Sequence, residues 1–104
     1  MTRLTVLYPA TPGSRFDWAY YLGTHVELAR RLLTPRGLVR IEIERGIGGF
    51  PPGATAPYHS VAHLVFRTTE ELTSAMEAAA ADLIADVKNY TEVETVLLIS
   101  EGVQ

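Results

Sequence analysis

A tyrosine and a histidine one helical turn apart are the residues whose types and spacing best suit chemistry. In Phe16-Asp17-x-x-Tyr20-Tyr21-x-x-x-His25, the positions of Tyr21 and His25 share one stripe of a predicted helix. A neutral imidazole exchanges a proton near neutral pH, and a nearby phenol orients a substrate oxygen. The spacing therefore predicts His25 as a proton-transfer residue and Tyr21 as its neighbour in a pocket between helix and sheet. The alternative is a core histidine that one hydrogen bond satisfies.

Asp17 stands at the start of the same helix, where two roles compete. The segment Ser14-Arg15-Phe16-Asp17 has the Ser-x-x-Asp form of a capping box. This form favours a role at the helix start over a role as a catalytic acid. Asp17 is kept as a catalytic candidate beside the two residues above.

The other two histidines, His59 and His63, stand four residues apart on a predicted strand. That spacing puts them about 13 Å apart along the strand, too far to bind one metal ion without further ligands. A mixed site with Asp82, Asp86 or His25 is the alternative, and we expect no metal. Cysteine is absent, which excludes disulfides, thiolate catalysis and cysteine-ligated metals. No phosphate-binding loop or nucleophile elbow is present, so we also expect no cofactor.

Six elements must position these residues, in the order strand, helix, strand, strand, helix, strand. Hydrophobic periodicity and the Gly/Pro turns set their bounds. The predicted strands are residues 3–8, 38–45, 59–67 and 93–100, and the predicted helices are residues 15–33 and 68–81, with a further helical turn within 82–90. The predicted inner stripe of the first helix is Trp18, Tyr21, Leu22, His25, Leu28, Ala29 and Leu32.

This order of elements in 104 residues predicts one α+β domain over residues 1–104 with the ferredoxin-like βαββαβ plan. Right-handed crossovers place both helices on one face of a four-stranded antiparallel sheet. The first and third strands are then central. The other face, which we call the open face, carries no helix.

The open face is too apolar to remain in water. Its apolar candidates are Leu7 or Val6, Val61, Val65, and either the set Val93, Leu97 and Ile99 or the pair Val96 and Leu98. The second strand adds a charged rim of Arg40, Glu42 and Glu44. An exposed apolar patch of a few hundred Å² usually marks an interface. We therefore expect a two-fold homodimer with sheet packed on sheet.

Composition and charge limit the kinds of binding partner and the cellular compartment that we expect. The net charge is −3 and the nine Lys and Arg residues are scattered, which argues against nucleic acid and anionic membranes as partners. No apolar run is long enough for a signal peptide or a membrane span. We expect a cytoplasmic protein whose ligand is a small organic molecule.

Four segments together resemble the EthD family, whose founding context is the degradation of ethyl tert-butyl ether. They are Val6-Leu7-Tyr8-Pro9, Phe16-Asp17-x-x-Tyr20-Tyr21-x-x-x-His25, Ala62-His63-Leu64-Val65-Phe66 and Asp86-Val87-Lys88-Asn89-Tyr90-Thr91. The family more often has phenylalanine where Tyr90 stands. The resemblance implies a dimeric α/β barrel, as in muconolactone isomerases, aromatic polyketide cyclases and cofactor-free quinone-forming monooxygenases. It also implies that the family's motif residues correspond to Asp17, Tyr20, Tyr21 and His25.

The resemblance and the residues predict a protein of small-molecule catabolism or secondary metabolism. Its activity would be of the oxidoreductase/monooxygenase or the cyclase/isomerase type, without a cofactor. The catalytic candidates are His25, Tyr21 and Asp17, and the predicted substrate pocket is Tyr20, Trp18, His63, Phe66 and Tyr90. The alternatives are a non-catalytic binding or accessory protein for a partner oxygenase, and a structural dimer with a filled core.

Overall fold

The computed structural model describes residues 1–104 as one α+β unit. Its strands are β1 (Thr2–Pro9), β2 (Leu38–Arg45), β3 (Tyr58–Phe66) and β4 (Val96–Glu101). The first helix, α1, covers residues 18–33 in three consecutive segments, Trp18–Tyr20, Tyr21–His25 and Val26–Leu33, and a 3₁₀ turn, Thr34–Arg36, follows it. The second helix, α2, is Thr69–Val87.

The sheet is antiparallel throughout and has the strand order β2-β3-β1-β4. The first and third strands are therefore central, which confirms the ferredoxin-like plan. Both helices pack against one face, where Leu4 of β1 and Leu64 of β3 meet Ala29 and Leu33 of α1 and Leu72 of α2. These side chains are all buried, so this layer is the hydrophobic core.

The middle segment of α1, Tyr21–His25, is a π-helix rather than an α-helix. The backbone N–H of Val26 donates to the carbonyl of Tyr21, five residues earlier. The extra residue in this turn rotates everything after it by about 100° relative to a regular α-helix. The predicted inner stripe is therefore wrong in part, because Leu33, absent from that stripe, is fully buried whereas Leu32 is partly exposed. Leu22, within the turn itself, is 46% exposed.

Two element bounds also differ from the prediction. α2 does not stop near Ala81 but continues without a break to Val87, since no Gly or Pro interrupts it and Leu83 prolongs its buried side. β4 begins at Val96 rather than Val93. The hydroxyl of Thr91 donates to the carbonyl of Arg15 and accepts from the N–H of Val93, which holds this stretch as a turn.

The open face divides into a polar half and an apolar half. On the side of β2, Arg3 and Arg40 pair with Glu42, and His63 contacts both Glu44 and Thr5. On the side of β4, the register places Leu7, Val96 and Leu98 on the same face. No helix of the structure is long and apolar enough to cross a membrane.

Candidate functional site

An aromatic cluster fills one end of the helix-covered face. Tyr8 of β1 forms edge-to-face contacts with Tyr21 and Phe16, at centroid distances of 5.5 and 5.2 Å. Its hydroxyl lies 2.7 Å from that of Tyr90, which is fully buried beyond the end of α2. The rings of Tyr21 and His25 stack at 5.8 Å with an interplanar angle of 18°. Both residues belong to the π-helical turn, and both are buried.

His25 is bound through one ring nitrogen to a carboxylate. Its Nδ1 lies 2.8 Å from Oδ2 of Asp86, near the end of α2. Burial lowers the pKa of His25 below its ordinary value of 6.5, although the hydrogen bond and the charge of Asp86 act in the opposite direction. His25 is therefore neutral at neutral pH. Because an ionised carboxylate only accepts hydrogen bonds, the neutral ring carries its proton on Nδ1 and its lone pair on Nε2.

Asp86 is held by two further groups. The Tyr20 hydroxyl donates to Oδ1 at 2.6 Å, and the Asn89 side-chain amide donates to the same oxygen at 2.9 Å. Partial burial raises the pKa of Asp86, but the hydrogen bonds from Tyr20, Asn89 and His25 outweigh it and the net pKa is lowered. Asp86 is therefore an anion at neutral pH and fixes the orientation of the imidazole.

A cavity of about 120 Å³ lies between α1, α2 and the sheet, and His25 forms part of its wall. Sixteen of its eighteen lining residues are hydrophobic. Among them, Ile84 of α2 and Leu97 of β4 are 67% and 57% exposed, so the mouth lies between these two elements. Tyr8 and Tyr21 line the cavity as well. A dry apolar cavity of about 150 Å³ in another protein binds benzene, so this one suits a ligand with about one ring.

The arrangement combines a base with hydrogen-bond donors in an apolar space. Nε2 of His25 makes no hydrogen bond with the chain, whereas Nδ1 is held by Asp86. Burial raises the pKa of Tyr8 and Tyr21 well above the ordinary value of 10, so both remain protonated, and the Tyr8 hydroxyl is already paired with that of Tyr90. The site can therefore remove a proton from an apolar ligand at Nε2, beside two phenols that stay neutral.

The structure brings some predicted site residues together and separates others. Tyr20 joins the cluster around His25 through its hydrogen bond to Asp86. Tyr90 joins it by direct contact with the His25 ring, at a centroid distance of 4.7 Å. Trp18 packs at its edge, against Tyr21 and beneath the guanidinium of Arg45.

The predicted placement of Phe66 and His63 in one pocket is wrong, because the two side chains lie on opposite faces of the sheet. Phe66 is fully buried in the main core, away from the cavity wall. His63 is on the open face, where it contacts Thr5 and Glu44. Residues 63 and 66 have opposite parity on one strand, so they project from opposite faces of the sheet.

Asp17 is the N-cap of α1, and its carboxylate accepts a hydrogen bond from the backbone N–H of Tyr20 at 3.1 Å. Ser14 does not cap the helix but contacts Nε2 of His59 at 2.8 Å. We expect Asp17→Ala to lower the free energy of unfolding by about 1 kcal/mol in urea titrations, as loss of a cap does. Asp82→Ala, at an exposed position within α2, is the control and should cost less. A loss of turnover at unchanged stability would instead make Asp17 catalytic.

The residues that the sequence did not assign to the site are Tyr8, Asp86 and Asn89. The sequence indicates Asp86 only as a possible metal ligand, because its large separation from His25 along the chain gives no sign of their contact. The sequence signal that could have identified these residues is the segment Asp86-Val87-Lys88-Asn89-Tyr90-Thr91, which carries part of the family resemblance. Its Asp86, Asn89 and Tyr90 side chains all contact Tyr20.

Comparison with known proteins agrees with this architecture. The sequence-family model of the EthD domain matches residues 14–94 of this chain. An EthD-like protein of Ralstonia eutropha JMP134 is 31% identical, with 99% of this chain and 92% of that chain covered and a TM-score of 0.91. An EthD family protein of Bacillus halodurans C-125 is 23% identical, with 98% of each chain covered and a TM-score of 0.69. Among curated proteins, none matches this chain. The family model covers most of the chain, and the chain therefore belongs to the EthD family.

Proposed function

We propose that this protein is a small enzyme that transfers a proton on a small, largely apolar organic molecule bound in the cavity beneath α1. His25 is the catalytic base, through Nε2, and Asp86 is the positioning residue that holds its Nδ1–H. One observation carries the proposal: a neutral imidazole with a free Nε2 lines an apolar cavity while a carboxylate anion fixes its other nitrogen. This arrangement suits an activity of the cyclase/isomerase type, or an oxidation in which proton removal is followed by transfer of the substrate's electrons to dioxygen.

The hydrogen bonds around Asp86 support a catalytic role for His25 over the role of a core histidine. A core histidine needs one hydrogen bond, and Asp86 supplies it. However, Tyr20 and Asn89 also converge on Asp86, so three groups hold one carboxylate in place. These hydrogen bonds orient the carboxylate and, through it, the imidazole, as in sites where a second shell orients a catalytic group.

A screen of one-ring organic compounds tests the proposal. Compounds that raise the melting temperature of the wild type are incubated with the protein, and their conversion is followed by mass spectrometry. The proposal predicts turnover of at least one bound compound. Saturable stabilisation by ligands without turnover of any of them would contradict it and favour a binding or accessory protein.

Asp86→Asn separates a positioning role from a structural one through the pH profile. In the wild type, turnover should rise as pH increases through the pKa of His25, below 6.5, and then stay level, because only the neutral imidazole is a base. Asp86 raises the pKa of His25, so its neutralisation should move this acid limb to still lower pH. The plateau should fall by about 10- to 100-fold as the tautomer and ring orientation are lost. An unchanged limb and plateau would contradict the positioning role.

We also propose that two copies pair through the open face. The charged side chains of that face, Arg3, Arg40, Glu42, Glu44 and His63, contact one another within the chain. Its uncovered part is the apolar half along β4, where Val96 and Leu98 are about half exposed. A second copy offers the same apolar strip by two-fold symmetry, and pairing removes both strips from water.

A further inference from the structure

The floor of the cavity includes a row of apolar side chains that crosses all four strands. The strand pairing places one residue of each strand in this row, and all four line the cavity: Ile43, Ala62, Val6 and Leu97. Because neighbouring strands lie about 4.8 Å apart, the row is about 14 Å long. The floor therefore extends across the sheet from β2 to the edge strand β4.

A second row beside the first ends on the surface of the protein. Its members on the other three strands, Ile41, Leu64 and Leu4, line the cavity, and its member on β4 is Ile99. Ile99 is about half exposed and lies outside the cavity wall. Leu97, at the end of the first row, is exposed to a similar degree although it does line the cavity. The apolar floor thus continues past the part that the helices cover.

The exposed apolar residues of β4 fall into two sets on opposite faces of the sheet. Val96 and Leu98 project to the open face, where we propose that a second copy covers them. Leu97 and Ile99 project to the other face, because alternate residues of a strand point to opposite sides. Across the mouth of the cavity from Leu97 is Ile84 of α2, which is also exposed. We call Ile84, Leu97 and Ile99 the mouth patch, and pairing through the open face does not account for it.

His25 and the mouth patch belong to different walls of the cavity. His25 is on α1, whose Tyr21 and Val26 form a cluster with Ile41 and Ile43 of β2. The mouth patch is formed by α2 and by β4, and β2 and β4 are the two edges of the sheet. A ligand whose reacting group contacts Nε2 of His25 can therefore lie along the floor with its other end at the mouth patch.

Volume and polarity limit what that other end can be. The cavity of about 120 Å³ holds about one ring, so any longer ligand must continue through the mouth. The mouth patch consists of three aliphatic side chains, and Thr95 is the one polar lining residue next to β4. Covering aliphatic side chains with methylene groups removes apolar surface of both from water, whereas a charged group there would lose hydration without a partner.

We infer that the ligand is a one-ring molecule with an alkyl tail, its ring inside the cavity and its tail across the mouth patch. The inference rests on the proposed function for the identification of the cavity as a ligand site. It goes further in naming the substrate class, an alkyl-substituted ring, and the residues that recognise the tail. The tail covers the three aliphatic side chains that the single chain leaves exposed at the mouth.

Two probes with the same ring and tails of different length test the inference: 4-ethylphenol and 4-hexylphenol. Dissociation constants are measured by calorimetry for the wild type, Leu97→Ser, Ile84→Ser and Ile47→Ser. Ile47 is an exposed isoleucine between β2 and β3, outside the cavity wall, and its variant is the control. 4-Hexylphenol should bind the wild type at least about tenfold more tightly than 4-ethylphenol, since each fully buried methylene group contributes about fourfold.

The two variants of the mouth patch should separate the probes. Each should weaken 4-hexylphenol by about five- to tenfold, because its tail loses the contact with one aliphatic side chain, and 4-ethylphenol by less than about twofold. Ile47→Ser should change neither. Leu97 and Ile84 are on different elements, so a folding defect in one variant leaves the other to decide.

Three results would overturn the inference. The first is equal affinity of the two probes for the wild type. The second is an equal loss of both probes in both variants of the mouth patch, which would indicate general damage to the cavity. The third is a wild-type dimer that becomes a monomer in Leu97→Ser, as judged by sedimentation, because a second copy would then cover the mouth patch.

Failure of the tail site and failure of the proposed function give different results. If tail length has no effect but bound compounds are still converted in a His25-dependent manner, the tail site is wrong and the enzyme remains. If 4-hexylphenol is preferred through Leu97 and Ile84 but no compound is converted, the tail site stands and the protein is a binding protein.

Discussion

His25→Ala should reduce the turnover of any substrate of this protein by at least about 100-fold, because general-base catalysis contributes roughly 10²- to 10⁴-fold. No other residue in the cavity wall can replace it. Of the eighteen lining residues, the tyrosines have pKa values raised by burial and the others, apart from Thr95, are hydrophobic. The measurement is the rate of conversion under saturating substrate, with substrate affinity determined separately.

His25→Gln is the matched variant for this experiment. Glutamine can still contact Asp86 and fills much of the same space, but it cannot accept a proton at neutral pH. Both variants should therefore lose turnover, and His25→Gln should retain more of the stability and ligand affinity. If His25→Gln keeps wild-type activity, or if both variants unfold and the wild type binds no ligand, His25 is a core histidine.

Leu98→Asp should convert a dimer into a monomer. Leu98 is 54% exposed in the single chain, so a carboxylate at this position costs the monomer little. In a sheet-on-sheet pair the same carboxylate would be buried in each copy against the apolar strip of the other copy. We expect a sedimentation mass of twice 11.4 kDa for the wild type and 11.4 kDa for the variant.

Val103→Asp is the control for that substitution. Val103 is an apolar residue of the C-terminal tail, 90% exposed and outside the sheet, so the same charge there should leave the dimer intact. A wild-type mass of 11.4 kDa would contradict the pairing outright. A dimer that persists in Leu98→Asp would place the interface elsewhere on the molecule.

Much of the fold was predictable because it rests on local periodicity. Three local signals each act over a few residues: the strict alternation in β2, the Pro and Gly residues between elements, and the cap at Thr68. The handedness of the crossovers then leaves one order of strands in the sheet. The π-helical turn at Tyr21–His25 was not predictable in this way. The turn contains one residue more than a regular helical turn, and a regular helical period gives no sign of that extra residue.

The site was predictable only where its residues share one element. Tyr21 and His25 are on the same helix, so their spacing indicated that they meet. Asp86 is far away along the chain, and only the continuation of α2 to Val87 brings it beside His25. The prediction for His63 is wrong because alternate residues of a strand project to opposite faces of the sheet, and only tertiary packing decides which face the helices cover.

A ¹⁵N NMR titration of the ring nitrogens of His25 tests most directly the claim that His25 is the base of this cavity. The ligand is the first compound that raises the melting temperature. We predict that Nδ1 keeps its proton and its hydrogen bond to Asp86, while the Nε2 resonance moves as the compound saturates the protein. Both resonances unchanged at saturation, or a proton found on Nε2 in place of Nδ1, would contradict the assignment of His25 as the base of this cavity.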